Sequence, residues 1–573
     1  MLFISNYHTT FTISKSWLNS FKKISISSNL LIVLSCAYVA LVLNAPFLLK
    51  AASVITSSDD YSLLFLLSVP VFLLSLFIFI NSFMAIGYLL KPVLIMTVFV
   101  SSIIFYAISN YGIVFDYTMV QNAIETDSTE ALSYLNIYLI SFLILFGVLP
   151  SLLIYWAPIR QLSIGQNILS RLWLIGLCLL VIVPIVGSFY VNYAAVGRNN
   201  SDLITYVTPY KLLDSSVKFV KRSYFSPHRD FQLLDTTPSL SDSTGATKVT
   251  VLVLGETARA QNFSLNGYAT PTNQYTQAKE VMSFSNVASC GTATAVSVPC
   301  MFSRLDRRSY DQQTADSQQN VLDIIQLAGS DVLWIDNNNG SCKGVCARVK
   351  SIELSPEIKN QFCDGEYCVD EALLSPLGDK LDHLTHHNTL IVLHMMGSHG
   401  PTYFRRFPQN KRPFTPDCQR SDIQNCTQQE LINTYDNTIV YTDYVLSKII
   451  EKLTLLEQTK DIETSMLYIS DHGESLGEKG VYLHGLPYAF APSEQTHVPM
   501  IYWQGSAMLD KNPACIKSMT AQSISHDNLF DTLLGITSVK SSTYNASMDV
   551  LAQCPILGVL ANTEFENNQM DIL

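Results

Sequence analysis

Between Ser289 and Cys300 the chain reads SCGTATAVSVPC, which sets two threonine hydroxyls, Thr292 and Thr294, between cysteines ten positions apart. Thiols at that spacing can close a loop and hold one hydroxyl rigidly. Threonine is a poor nucleophile until a base or a metal activates it. Groups able to do so follow apolar runs elsewhere: Glu256 after VTVLVLG, His394 and His399 after TLIVL, Asp471 and His472 after MLYIS. Glu256, Asp471 and His472 offer two carboxylates and an imidazole, a donor set that suits zinc and leaves a position for a catalytic group. The loop GESLGEKGVYLHG then brings Glu474 and His484. His399 and His484 can bind a second metal or a phosphate oxygen, and Asn339 and Lys343, in NNNGSCKGVC, can contact a phosphate or head group.

Each residue also has a plainer reading. Glu256 can be a carboxylate favoured by a helix N-terminus. Thr292 and Thr294 can be caps, the two histidines structural, and Asn339 and Lys343 the tip of a solvated loop. Composition does not separate Thr294 from Thr292. If a helix runs from there toward Cys300–Arg304, its first amides would bind a phosphate.

What must position these groups is an α/β domain. Continuous apolar runs recur at Val249–Leu254, Val332–Ile335, Thr389–Leu393, Met466–Ile469 and Met500–Trp503, with helical patterns between them at Asn320–Leu327 and Leu431–Leu455. Uninterrupted apolar strands alternating with helices predict a buried, mainly parallel sheet. Ligands gather beyond the carboxyl ends of such strands, which is where the candidate residues fall.

The N-terminal third is of another kind. Mean hydropathy over the chain is +0.23, and the apolar residues concentrate in five uncharged stretches: 24–49, 62–90, 92–115, 132–158 and 172–197. About 20 apolar residues span a bilayer, so a five-span domain is predicted over 1–197. Lys15, Lys22, Lys23, Lys91, Arg160 and Arg171 fall on one side of it. Asp59, Asp60, Asp116, Glu125, Asp127 and Glu130 fall on the other, with Lys50 as its one basic residue. The basic side is cytoplasmic, so the N-terminus is expected inside and everything after the fifth span outside. Glu125 and Asp127, on an outer loop, can meet a cationic head group. Residues 198–247 read as a bridging helix and linker, and 248–573 as the catalytic domain. Ten of the twelve cysteines lie between 290 and 554, mostly in close pairs, which suggests disulfides in an oxidising compartment. A net charge of −11 without a long basic run argues against nucleic acid.

The motifs GETAR (255–259), SCGTATAVSVPCMFS (289–303), NGSCKGVC (340 region, 339–346), HMMGSHGPTY (394–403), YDNTIVYTD (435–443) and SDHGESLGEKGVYLHG (470–485) together resemble the lipid A phosphoethanolamine transferases, including the mobile colistin resistance enzymes. The resemblance covers nearly the whole chain. It implies an alkaline-phosphatase or sulfatase-like fold in the outer domain. It implies Thr294 as nucleophile, with zinc bound by Glu256, Thr294, Asp471 and His472, one ion firmly and a second as an open alternative. It implies that Asn339, Lys343, His399, Glu474 and His484 handle the phosphoethanolamine group or that second zinc, and that Glu125 and Thr126 belong to a lipid-contacting loop. The family pairing joins Cys290 with Cys300, Cys342 with Cys346, Cys363 with Cys368 and Cys418 with Cys426, and leaves Cys515 with Cys554 open. The implied reaction carries phosphoethanolamine from phosphatidylethanolamine to lipid A, in a monomeric inner-membrane protein, and lowers susceptibility to cationic peptides. The alternatives are another envelope glycan as acceptor, phosphoglycerol transfer in the same superfamily, or a receptor or scaffold without catalysis.

Overall fold

The computed structural model describes residues 25–554 apart from 58–60, 127, 226, 228, 242–246, 339, 366 and 507–511. The chain divides into two compact units, Met1–Ser109 with Ile137–Leu213, and Asn110–Asn136 with Asp214–Leu573.

Among the described residues four helices are long and apolar enough to cross a membrane: Leu63–Met84, Gly87–Tyr111, Ile137–Trp156 and Ile164–Asn199. A bent pair, Ser28–Leu43 and Ala45–Thr56, set at 58°, makes a fifth if the two helices count as one span. The sequence predicts one span over 24–49; the bend falls at Asn44, just before Pro46, which has no N–H to continue the helix. The buried Asn44 amide donates to the carbonyls of Val39 and Thr208, both at 2.9 Å, and its oxygen accepts from Thr208 N at 2.9 Å. Apolar surroundings require freed backbone groups to be paired in this way. The last helix has 36 residues and begins eight before the predicted 172, because the Ser163–Gln166 capping box starts it.

The second unit is built on an eight-stranded sheet. Its strands are β1 (Lys248–Gly255), β2 (Met282–Ala288), β3 (Asp331–Asp336), β4 (Lys350–Glu353), β5 (Asn388–His394), β6 (Glu463–Ser470), β7 (His497–Gln504) and β8 (Ile524–Ser525), in the order β8-β2-β7-β6-β1-β5-β3-β4. The run β6-β1-β5-β3-β4 is parallel, and β7 is antiparallel to both its neighbours. All five predicted strands are present. The mainly parallel sheet follows from β1 and β5 being apolar on both faces and buried. The direction of β7 was not legible, since a buried run reads the same either way.

The helix α1 (Tyr117–Glu125) packs on α2 (Thr294–Met301), and α2, α3 (Val321–Leu327) and α4 (Gln428–Lys460) cover the sheet. Asn320 and Thr427 start α3 and α4 with capping boxes. One face of the sheet packs Leu252, Leu254, Trp334 and Val392 against Val298 and Phe302 of the α2 segment. Within the stretch read as linker, Ser239 and Leu240 pair with Lys540 and Val539. The segment Ser201–Tyr224 forms a short 3-10 turn, Ser201–Tyr206, and a helix, Tyr210–Tyr224, which starts just after Pro209.

Candidate metal and nucleophile site

The site stands at the carboxyl ends of β6, β1, β5 and β3. Register sets Gly255 beside Ser470, so the next residues, Glu256 and Asp471, emerge side by side. Both are fully buried, as is His472. Gly255 and Gly397 make this approach sterically feasible. A Cβ on Gly397, whose φ is +51°, would lie 2.5 Å from the Glu256 carbonyl oxygen. Thr257 carries the strain of the turn, with φ at 59° in a β-branched residue. It is held there by its N–H on Asp471 Oδ1 at 3.1 Å, its hydroxyl on Glu256 Oε1 at 2.5 Å, and its carbonyl accepting Tyr435 OH at 2.7 Å.

Thr294 is the first residue of α2, as a helix running toward Cys300 predicts. Its Oγ1 lies 3.1 Å from each Glu256 carboxylate oxygen and 3.3 Å from His472 Nε2. The Thr292 hydroxyl instead donates to the Leu486 carbonyl at 2.6 Å. Geometry therefore separates two hydroxyls that composition leaves equivalent. The Cys290–Cys300 disulfide ties the loop to the end of α2. His526, which the sequence does not single out, braces it: its Nε2 donates to Ser470 O at 2.9 Å and its Nδ1 accepts from Cys290 N at 3.0 Å. Burial pushes His526 down to about 3, so it is a neutral strut.

The donor set fits a metal cation. His472 Nδ1 donates to the Gly473 carbonyl at 2.9 Å, which fixes the tautomer and turns the Nε2 lone pair inward. That nitrogen lies 3.4 Å from Glu256 Oε1 and 3.4 Å from Asp471 Oδ2. Asp471 Oδ1 accepts two backbone N–H groups, while Oδ2 is buried with no hydrogen-bond partner among the described residues. A buried carboxylate oxygen without a donor is costly unless a cation meets it. Burial and the Glu256 charge push Asp471 up to about 7. Burial would lower His472, but the charges of Asp471 and Glu256 hold it at about 10. The same two carboxylates that draw a proton onto His472 would draw a metal ion. Oxygen and imidazole donors of this kind suit zinc or a similar divalent ion.

A second cluster adjoins the first. Ligand atoms of His472, Glu474 and His484 lie within 4.8 Å of one another. Glu474 accepts His484 Nδ1 at 2.9 Å and the Tyr403 hydroxyl. The His484 ring centroid is 4.4 Å from that of His472 and 5.4 Å from that of His399. Burial pushes Glu474 up to about 8 and His484 down to about 3.

Of the remaining predicted residues, Lys343 and Glu125 come together, Nζ to Oε2 at 3.6 Å. Gln121 of α1 donates to Glu125 at 2.9 Å and to Gln312 at 2.7 Å. Thr126 caps α1, with its hydroxyl on the Asn122 carbonyl at 2.8 Å. Asn339 and Asp127 lie outside the described residues. The neighbouring Asn338 is a residue that sequence reasoning missed. Its Nδ2 donates to Glu256 Oε2 at 2.7 Å and to Met395 O at 3.0 Å. Three successive asparagines after β3 marked the place, and only the tertiary fold picks one. Asp370 was also missed; it accepts from Met396 N and Gly397 N, each at 2.8 Å, and so fixes the turn beneath Glu256. His394 pairs with Asp336 at 2.8 Å behind the site. Ten cysteines form the four family pairs and also Cys515–Cys554. Cys36 and Cys178 are free and buried.

Comparison with known proteins agrees with both halves of the chain. The sulfatase family matches residues 248–539, and the phosphoethanolamine transferase EptA/EptB family matches residues 73–224. The Escherichia coli (strain K12) phosphoethanolamine transferase EptA is 39% identical over 549 residues, covering 92% of this chain and 97% of that one. The Escherichia coli phosphatidylethanolamine transferase Mcr-1 is 37% identical over 531 residues, covering 90% and 96%. The integral membrane lipooligosaccharide phosphoethanolamine transferase A of Neisseria meningitidis superposes with a TM-score of 0.88 at 34% identity, covering 93% of this chain and all of that one. With a sulfatase-like domain on a multi-pass membrane domain, and relatives matching along almost their entire length, this chain belongs to the EptA/Mcr family of phosphoethanolamine transferases.

Proposed function

We propose that this protein transfers phosphoethanolamine from phosphatidylethanolamine to lipid A through a covalent intermediate on Thr294. The observation that carries this reading is the Thr294 hydroxyl, 3.1 Å from both Glu256 oxygens and 3.3 Å from His472 Nε2. A hydroxyl so placed loses its proton readily toward the carboxylate as it attacks. In the first half-reaction Thr294 Oγ1 bonds to the donor phosphorus, the phosphorus–oxygen bond to diacylglycerol breaks, and the threonine proton leaves on the glycerol oxygen. In the second, a lipid A phosphate oxygen takes the phosphorus, its proton returning to Thr294. The two steps share one site, so the kinetics are ping-pong. A zinc ion held by Glu256, Thr294, Asp471 and His472 would lower the hydroxyl pKa and offset charge on the phosphoryl oxygens.

Glu474, His484 and His399 surround the position a phosphoryl oxygen or a second zinc would take. Lys343 and Asn339 are assigned to the phosphate, and Glu125 and Thr126 to the lipid head group. The 3.6 Å approach of Lys343 to Glu125 supports placing both on one substrate path. The domains are assigned as 1–197 in the membrane, 198–247 bridging and 248–573 catalytic. The protein is placed in the inner membrane as a monomer, with its N-terminus cytoplasmic and its disulfide-rich domain periplasmic. The relatives named as Kdo(2)-lipid A phosphoethanolamine transferases support lipid A as acceptor, and lowered susceptibility to cationic peptides such as colistin is the outcome assigned to that modification.

Mass spectrometry tests this directly. With donor present, the peptide carrying Thr294 should gain one phosphoethanolamine, and lipid A from expressing cells should gain the same mass. Thr294→Ala should fold and lose both signals. Full transfer by Thr294→Ala would exclude the assignment, and a mass gain on core sugars alone would replace lipid A by another glycan.

A further inference from the structure

A groove of about 740 Å3 opens on the second unit beside the Cys363–Cys368 hairpin, between the segment Phe404–Lys411 and Tyr444 of α4. Its cations are held by aromatic rings. The Arg405 guanidinium lies 4.5 Å from the Tyr367 ring centroid and 5.7 Å from that of Phe404. The Lys411 ammonium lies 3.6 Å from the Tyr444 centroid and 5.6 Å from that of Tyr275. Such cation–aromatic contacts orient a charge without neutralising it. Among the described residues, Arg405 meets one carboxylate, the exposed Asp364, at 3.9 Å, and Lys411 has no ion pair. Two acids line the groove, Asp364 and Glu371, and Glu371 accepts from the hydroxyls of Tyr441 at 3.3 Å and Tyr444 at 3.4 Å. Phe362 and Phe404 add part-exposed rings, and Gln361, Gln409, Asn410 and Gln419 add amides.

Two backbone segments join this groove to the site. Tyr403 donates to Glu474, and the next residues, Phe404 and Arg405, line the groove. Asp370 holds the Met396–Gly397 turn, and its neighbours Val369 and Glu371 line the groove. Site and groove are therefore one residue apart along both segments.

The chemistry of this wall selects a ligand. Flat aromatic faces pack against the C–H faces of a sugar ring, amides hydrogen-bond hydroxyls, and ring-oriented cations, of which Lys411 has no ion pair among the described residues, bind phosphate. We propose that the groove is the acceptor subsite, taking the phosphorylated amino-sugar head of lipid A. Arg405 and Lys411 hold the phosphate that is not being modified while the other reaches Thr294. This rests on the transferase reading, and the test separates the two.

The full chain in detergent is compared with Arg405→Ala, Lys411→Ala, the double variant and Arg405→Lys. Loading of Thr294 from phosphatidylethanolamine without acceptor should stay within about twofold of the unmutated protein, and the melting temperature should be unchanged. The KM for lipid A should rise at least tenfold in the double variant, with Arg405→Lys intermediate. An unchanged KM, or loading that falls in parallel with transfer, overturns the proposal. If the unmutated protein never loads Thr294, the covalent reading fails, and the groove is then judged by binding of a bis-phosphorylated glucosamine disaccharide. Binding that weakens tenfold in the double variant, and on removal of the phosphates, upholds the subsite. Equal binding by all variants, or preference for a phosphorylated core saccharide, overturns it.

Discussion

At the scale of single residues, the site is a set of orientations imposed on a few donors. Glu256 is positioned by three neighbours, the Thr257 hydroxyl, the Thr294 hydroxyl and the Asn338 amide. Asn338 makes no other contribution that the proposed reaction needs, so it isolates orientation from chemistry. Asn338→Ala should lower metal affinity by about 10–100-fold, the range for lost partners of metal ligands. Titration of the loaded protein with a competing chelator reads this, and unchanged affinity would show that Glu256 is held without Asn338. Little of this detail was legible beforehand. Glu256, Asp471 and His472 could be named because each follows an apolar run. Asn338 could not be chosen from NNN, nor His526 from the other histidines, because their partners lie far off in sequence.

At the scale of elements, the strand ends do the assembling. The parallel sheet sets Asp471 and Glu256 side by side, two residues beyond the level at which His394 pairs with Asp336, because β6, β1, β5 and β3 are neighbours in register. The helix α2 then delivers Thr294 from above, and the turn at Gly397 closes beneath Glu256. That turn is tightly constrained, since a methyl group there would meet the Glu256 backbone at 2.5 Å. Gly397→Ala adds both this clash and the cost of a side chain at positive φ, together about 2–4 kcal/mol. The expected result is a lower melting temperature with weakened metal binding, seen by thermal unfolding with and without added zinc. A fully stable, fully loaded Gly397→Ala protein would mean that the turn can move away. The element pattern was the most legible level: five apolar runs became five strands. The antiparallel setting of β7 and the bend at Asn44 were not legible, since each depends on partners remote in the chain.

At the scale of the whole molecule, buried carboxylates make stability depend on pH. Asp436 of α4 is buried, accepting from Asn262 and Tyr268, and burial pushes it up to about 6 from 3.8. The folded protein therefore holds a proton that the unfolded chain releases between those values. The stabilisation is present at low pH and is lost as pH rises through 6. Asp436→Asn stays neutral throughout. Raising the pH from 4 to 7 should thus cost the unmutated protein on the order of 3 kcal/mol more than the variant. Parallel pH series of thermal unfolding in one detergent measure the difference, and identical pH slopes would show Asp436 to be solvated.

The sequence by itself determined what depends on local pattern and composition: membrane spans from uncharged apolar length, a buried parallel sheet from continuous β-rich runs, and strand-end residues able to bind a metal. It also supplied the motifs that tie the chain to its family. Only the tertiary structure decided which donors meet. Thr294 faces Glu256 while Thr292 is turned to the Leu486 carbonyl. Asn338 reaches the carboxylate, Lys343 meets Glu125, and Cys515 bonds Cys554. The physical reason is range: periodicity reports the burial of one segment, whereas a site is made by hydrogen bonds and charges between segments brought together only by strand register.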